Sequence, residues 1–137
     1  MDVDVLTLNS LDPGGARKVE AKVAGPAGLL VAKLHKIEER EGTSRAADKD
    51  ALDVLRLLRG VSTVELADRM RRLLADVRSA APARRGLDLL AGLFGRGGEG
   101  TLMAARAVAD VMDAAEVRLS CEVLASDLVV ALRGAEV

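Results

Sequence analysis

Aromatic residues are nearly missing from this 137-residue chain: it has one phenylalanine, Phe94, and no tryptophan or tyrosine. Stacking platforms for bases or sugar rings are therefore absent, and the core must be built from Leu, Val and Ala. A single cysteine, Cys121, excludes an internal disulfide framework, and with a single histidine, His35, a Cys/His zinc site has too few ligands. Charge of one sign is not in excess either. Twenty Lys plus Arg against twenty-one Asp plus Glu leave a net charge of −1, so no global basic field draws the chain to nucleic acid or acidic membranes. No apolar run approaches the roughly 18 residues of a membrane span, and Met1-Asp-Val-Asp4 lacks the basic and apolar segments of a signal peptide. No membrane association and a cytoplasmic location are the expectation.

What is present has the size and apolar content of one domain, 1–137, in three parts: a β-ribbon (1–25), a helix pair (26–60) and a helical bundle (61–137). Val3 and Val5, and later Val19, Ala21 and Val23, alternate with charged residues at a period of two, which predicts two short strands joined by the turn-rich Asn9-Ser-Leu-Asp-Pro-Gly-Gly15. A lone antiparallel ribbon is marginal, so it is expected to pack on helices or to be completed by strands from elsewhere. Pro26 opens a predicted helix over 26–41 with Leu30, Leu34 and Ile37 at helical spacing, and a second follows over about 46–59, stopped by Gly60. Ser62-Thr-Val-Glu65 forms a capping box for a third, with Leu66, Met70, Leu73, Leu74 and Val77 as its stripe to about residue 79. Pro82 opens a fourth, which Gly95-Arg-Gly-Gly-Glu-Gly100 breaks. Residues 101–133 continue as helix, divided near 113 by the capping pattern Asp113-x-x-Glu116. The expected class is α+β, mostly α: an N-terminal antiparallel β-ribbon followed by five or six helices.

Two charges stand where apolar residues belong. On the first helix Lys33 falls in the sector of Leu29, Leu30, Leu34 and Ile37, opposite Val31 and His35. On the second, Asp50 lies between Val54 and Leu57, with Asp53 at the edge of that face. Half-buried charges are costly unless paired, so a Lys33–Asp50 contact that Asp53 shares is one reading; a snorkelling lysine and an exposed aspartate are the other. Arg45, Asp48 and Lys49 read as solvated. Asp4, between Val3 and Val5, is a candidate metal ligand at a sheet edge, with Asp2 on the same face as its smallest complement, or else a solvent-facing strand residue. Several weaker signals read as structure. The glycine run at 95–100 follows a helix and lacks Lys-Ser/Thr, so it is a linker and no phosphate cradle. The arginines between Arg69 and Arg85 read as a solvated face balanced by Asp68, Asp76 and Asp88. His35 reads as a surface histidine and Cys121 as a small buried residue.

The run Val23-Ala-Gly-Pro-Ala-Gly-Leu-Leu-Val-Ala-Lys-Leu-His-Lys36, with Arg45-x-x-Asp-Lys-Asp-Ala-Leu-Asp53 after it, resembles the middle of the nucleotidyltransferases related to abortive-infection (type IV) toxins. In that family a Pro-x-x-Leu-Leu-x-x-Lys helix precedes an Arg…Lys-Asp-x-x-Asp helix. The resemblance implies a toxin-antitoxin setting, with Lys33 and Lys49 binding a nucleoside triphosphate and Lys33, Asp50 and Asp53 as catalytic candidates. It further implies Mg²⁺ as cofactor, Asp4 as a remnant metal position, and an RNA or protein acceptor. The family's catalytic signature, a Gly-Ser or Gly-Thr turn followed by an Asp-x-Asp strand that binds two metal ions, has no counterpart between residues 1 and 137. Two-metal transfer needs such bridging carboxylates, so the chain as given is expected to lack catalysis and to bind a nucleotide or complete a nucleotidyltransferase. The alternative, from another class, is a non-enzymatic helical interaction module that forms a homodimer or binds a partner protein completing its sheet.

Overall fold

The structure is a computed structural model that describes residues 25–40 and 45–133 in full and the backbone of 3–9, 18–24 and Gly134. Its body is helical from the first turn onward. Gly25 is extended and caps α1 (Pro26–Glu39), whose first position is the proline, with φ already suited to a helix. Next comes α2 (Arg45–Gly60). Ser62 then caps α3 (Thr63–Ala75), its hydroxyl accepting the Glu65 N–H at 3.2 Å as the capping box requires. α4 (Ala80–Leu93) begins two residues before Pro82 and ends at the buried Phe94. α5 (Glu99–Ala107) is followed by turns, after which the Asp113 carboxylate accepts the Glu116 N–H at 3.1 Å and starts α6 (Ala114–Gly134).

Among the fully described residues there are six helices and no strand, so the expected α+β class is corrected: this region is a helical bundle with no sheet in it. Val3–Asn9 and Lys18–Ala24 have extended backbone that opposes itself antiparallel, Val3 against Ala24. Yet among the described residues no third strand joins them, and they approach the helices chiefly where the chain runs into α1. A β-ribbon is thus no layer of the architecture. Alternation over seven residues reports local extension, whereas a layer needs an apolar face to cover, and the helices cover one another's. Among the described residues, every buried apolar side chain belongs to a helix or to a helix cap.

The core is aliphatic around one ring. Leu30, Leu34, Leu55, Leu66, Met70, Leu90, Leu128 and Phe94 are its largest fully buried side chains. α1 packs against α2, α3 and α4. That enclosure corrects the reading of Val31 as outward-facing. It is buried because α4 crosses there at Gly86, where a Cβ would stand 3.2 Å from Val31 Cγ2. Leu29, expected inside, is partly exposed.

α3 stops at Ala75, short of the expected 79, and Val77 lies outside the core at 94% exposure. The cause is local. The Asp76 carboxylate accepts the Arg78 N–H at 2.9 Å, and Ser79 donates back to the Leu73 carbonyl at 2.7 Å, so side chains take over the helix end. No helix among the described residues is long and apolar enough to cross a membrane.

The glycine run at 95–100 turns the chain tightly round Phe94. Gly97 has a φ of +72° and donates to the Glu122 carboxylate at 3.1 Å. A Cβ on Gly100 would come within 2.9 Å of the Phe94 ring, and one on Gly98 would fall inside the Leu93 carbonyl. Gly98→Ala is therefore expected to cost more than about 2 kcal/mol in urea denaturation. Gly92→Ala, at an exposed position in the last turn of α4 with open space around it, should be neutral or stabilising by up to about 1 kcal/mol. Equal effects at the two sites would show that the turn is not packed in this way.

Candidate functional site

The two charges misplaced on their helices meet. Where α1 packs on α2, Lys33 Nζ stands 3.2 Å from Asp50 Oδ1 and 3.0 Å from Asp53 Oδ2. The other oxygen of each aspartate faces an arginine: Asp50 Oδ2 is 3.1 Å from Arg40 Nη1, and Asp53 Oδ1 is 3.6 Å from Arg56 Nη1. The result is a chain of five alternating charges, Arg40–Asp50–Lys33–Asp53–Arg56, most buried at Asp50 and more exposed at its two arginine ends. Asp50 is its anchor, with a side chain only 8% exposed. Its Oδ2 is fully buried, and the approach of Arg40 supplies charge without a well-angled hydrogen bond. The hydrogen bond to Asp53, and then that to Asp50, raise the Lys33 pKa above its ordinary value of 10.5, against the opposing effect of partial burial.

Beside this chain lies a cleft of about 530 Å³ between Leu29, Leu57, Gly60 and Val61, with Lys33, Asp53 and Arg56 along its polar edge. Lys49, expected to share nucleotide binding with Lys33, instead lines a second cleft with Arg45, Asp48 and Arg106. Asp48, expected to be solvated, is largely covered. It receives a two-pronged contact from Arg106, Nη2 to Oδ1 at 2.9 Å and Nε to Oδ2 at 3.2 Å, which ties α2 to α5. Nothing in the sequence pairs these two residues, because they are 58 positions apart. His35 also has a partner that spacing could not reveal: its Nε2 lies 3.0 Å from the Pro82 carbonyl at the start of α4.

Asp2 and the Asp4 side chain lie outside the described residues. Among the described ones, no three His, Cys, Asp or Glu side chains converge as metal ligands. Asp50 and Asp53 do not offer Mg²⁺ a free pair of carboxylates, since each gives one oxygen to the Lys33 ammonium between them and the other to an arginine. Cys121 is fully buried, and burial pushes its thiol up to about 11, so little thiolate forms at neutral pH. The surface arginines of α3 and its exit are largely matched: Arg71 with Asp68 at 2.8 Å, Arg69 with Glu65 at 3.4 Å, Arg78 with Asp76 at 3.5 Å.

A feature that spacing missed lies on the far side of α6. Val117, Cys121, Ala125, Leu128 and Leu132 fill the core, yet Leu119, Val123 and Val130 face outward at 60, 49 and 64% exposure. A cleft of about 460 Å³ borders this stripe where α6 meets the end of α4, with Arg96, Glu122, Ser126 and Asp127 on its walls. Helical periodicity alone could not assign these apolar residues to core or surface, because a helix apolar on two sides gives no sign of which side is covered.

Compared with protein-family models, curated proteins and solved structures, the chain matches none.

The ion chain makes a stability prediction. Lys33→Met leaves Asp50 buried against Arg40 alone and should cost about 2 kcal/mol, while Lys33→Met/Asp50→Leu should recover most of that. Because the folded-state pKa of Lys33 is raised, its contribution is complete below the ordinary 10.5 and is lost only as pH climbs through the higher folded value. The wild-type minus Lys33→Met difference, measured by urea denaturation, should thus be flat from about pH 6 to 9. A double variant as unstable as the single one would mean that the aspartate is not held by the lysine.

Proposed function

We propose that the domain is a helical interaction module and that the outer face of α6 is its docking surface. The observation that carries this reading is the stripe Leu119, Val123 and Val130, three large apolar side chains about half or more exposed on a helix whose opposite face is in the core. Exposed apolar residues scattered singly are ordinary, but a row of them along one helix face is what a partner covers. Polar groups rim the row, Arg96, Glu122 and Asp127 among them, as is usual round an apolar interface centre. In contrast, the charged side chains of the Lys33 chain are engaged with one another. Leu119→Glu/Val123→Glu should leave the helical circular-dichroism spectrum intact and remove specific proteins captured from host lysate by the wild-type chain. The same captured set with both proteins would refute the α6 face as the docking surface.

A second reading has its own observation. The residues of the nucleotidyltransferase resemblance, Lys33, Asp50 and Asp53, converge beside a cleft that also carries Arg56. On this reading the module binds a nucleoside triphosphate there, with Mg²⁺ accompanying the nucleotide and RNA as a further acceptor. The Arg56 guanidinium, 65% exposed and 3.6 Å from Asp53, is the cation freest to turn toward a phosphate. Calorimetric titration with nucleoside triphosphates and Mg²⁺ should then give a Kd below about 1 mM, weakened about tenfold by Arg56→Ala. Arg56 is the position to vary, since Lys33→Met alters folding stability as well. Absence of heat above dilution up to millimolar nucleotide would end this reading.

A further inference from the structure

The outer face of α6 reads the same in both directions. Glu116, Leu119, Val123, Ser126, Val130 and Arg133 recur at alternating spacings of three and four, the seam of a helix that pairs with another helix. All six are exposed. About the midpoint between Leu124 and Ala125, Leu119 mirrors Val130, Val123 mirrors Ser126, and Glu116 mirrors Arg133. From this we infer that the domain forms a two-fold homodimer in which α6 packs antiparallel on α6 of a second copy; the inference rests on the interaction-module reading and names its partner.

A two-fold contact must be self-complementary: whatever residue i meets, its mate must meet residue i in return. In an antiparallel helix pair the layers here become Leu119 on Val130 twice, Val123 on Ser126 twice, and Glu116 on Arg133 twice, so each apolar side chain is covered and opposite charges close both ends. A parallel pair would instead set Glu116 on Glu116 and Arg133 on Arg133, leaving like charges at each end. The charges are available for this. Glu116 is exposed in the first turn of α6, and the Arg133 contact within its own chain is a long one, Nη2 to Asp88 Oδ1 at 3.5 Å. Along the flank, Asp127 of one copy lies beside Ser120 of the other, where Arg59 already donates to the Ser120 hydroxyl at 2.9 Å. The seam is about 27 Å long. Its centre is softened by two serines, and it holds three large apolar side chains per copy, which suits association in the micromolar range and not an obligate dimer.

Sedimentation equilibrium of the full chain from about 1 to 200 µM reads this directly. The expected result is a reversible rise from 14.4 kDa to twice that mass. Dimerisation should weaken at least tenfold in Leu119→Glu and in Glu116→Arg, and return in Glu116→Arg/Arg133→Glu, with circular dichroism confirming that each variant stays folded. Should Leu119→Glu fail to fold, the milder Val123→Thr, expected to weaken association several-fold, replaces it. A monomer at all concentrations overturns the inference. So does a dimer indifferent to the α6 substitutions, or one that the double charge exchange does not restore. If the chain stays monomeric while Leu119→Glu/Val123→Glu still removes a captured protein, α6 docks a different partner and the module reading survives; if neither is seen, both fail.

Discussion

Enclosure of α1 is the constraint from which the rest of the bundle follows. With Ala27, Leu30, Val31, Leu34 and Ile37 all buried, this helix has neighbours on most of its circumference and sets where α2, α3 and α4 lie. A core with one aromatic ring fills space with side chains of similar, modest size, so helices must come close. Gly86 on α4 is one consequence, since a methyl group there would press on Val31. The turn round Phe94 is another: the single large ring needs a cavity shaped for it, and Gly100 lets the backbone pass close beside it while Gly98 lets the turn close on the Leu93 carbonyl.

The same enclosure explains the ion chain. Lys33 lies on the strip of α1 that α2 only partly covers, its side chain 22% exposed, so its stem packs while its ammonium requires an anion nearby. Asp50, almost fully covered, would be a costly charge if left unpaired, and cations approach it on two sides. Buried ion pairs often contribute little net stability compared with well-packed apolar residues, but they penalise misalignment, because a helix slipped by one turn would strand a charge. Lys33, Asp50 and Asp53 can thus fix how α1 meets α2, whatever further chemistry the cleft beside them performs.

How much of this was legible in the sequence depends on the range of the signal. Caps are local, and Ser62, Asp113 and the proline of α1 announced their helices within a few residues. The Lys33 contact was legible for a different reason: a charge inside an apolar sector is an anomaly that burial must resolve, and the nearest anomaly of opposite sign was Asp50. The strand alternation, though also local, did not decide the fold class, because a layer is a tertiary property. Val77 was misassigned since helical periodicity carries on past the point where Asp76 and Ser79 end α3. The Asp48–Arg106 and His35–Pro82 contacts bridge residues 58 and 47 positions apart, and no rule of spacing reaches so far.

The two candidate surfaces differ in what an incoming ligand must displace. At the cleft beside α1 and α2, three cations and two anions leave one net positive charge, and each carboxylate oxygen already faces a cation. An anion approaching Lys33 must compete with Asp53 and Asp50 for the same ammonium, so only a ligand bringing several negative charges, or one that recruits Arg56 from its weak contact, gains more than it breaks. On the outer face of α6 the apolar stripe makes no such contacts to be broken, and covering Leu119, Val123 and Val130 removes apolar surface from water with little to set against it beyond side-chain ordering. That difference in opposing cost, more than any count of charged or apolar groups, favours α6 as the face through which this bundle meets other molecules.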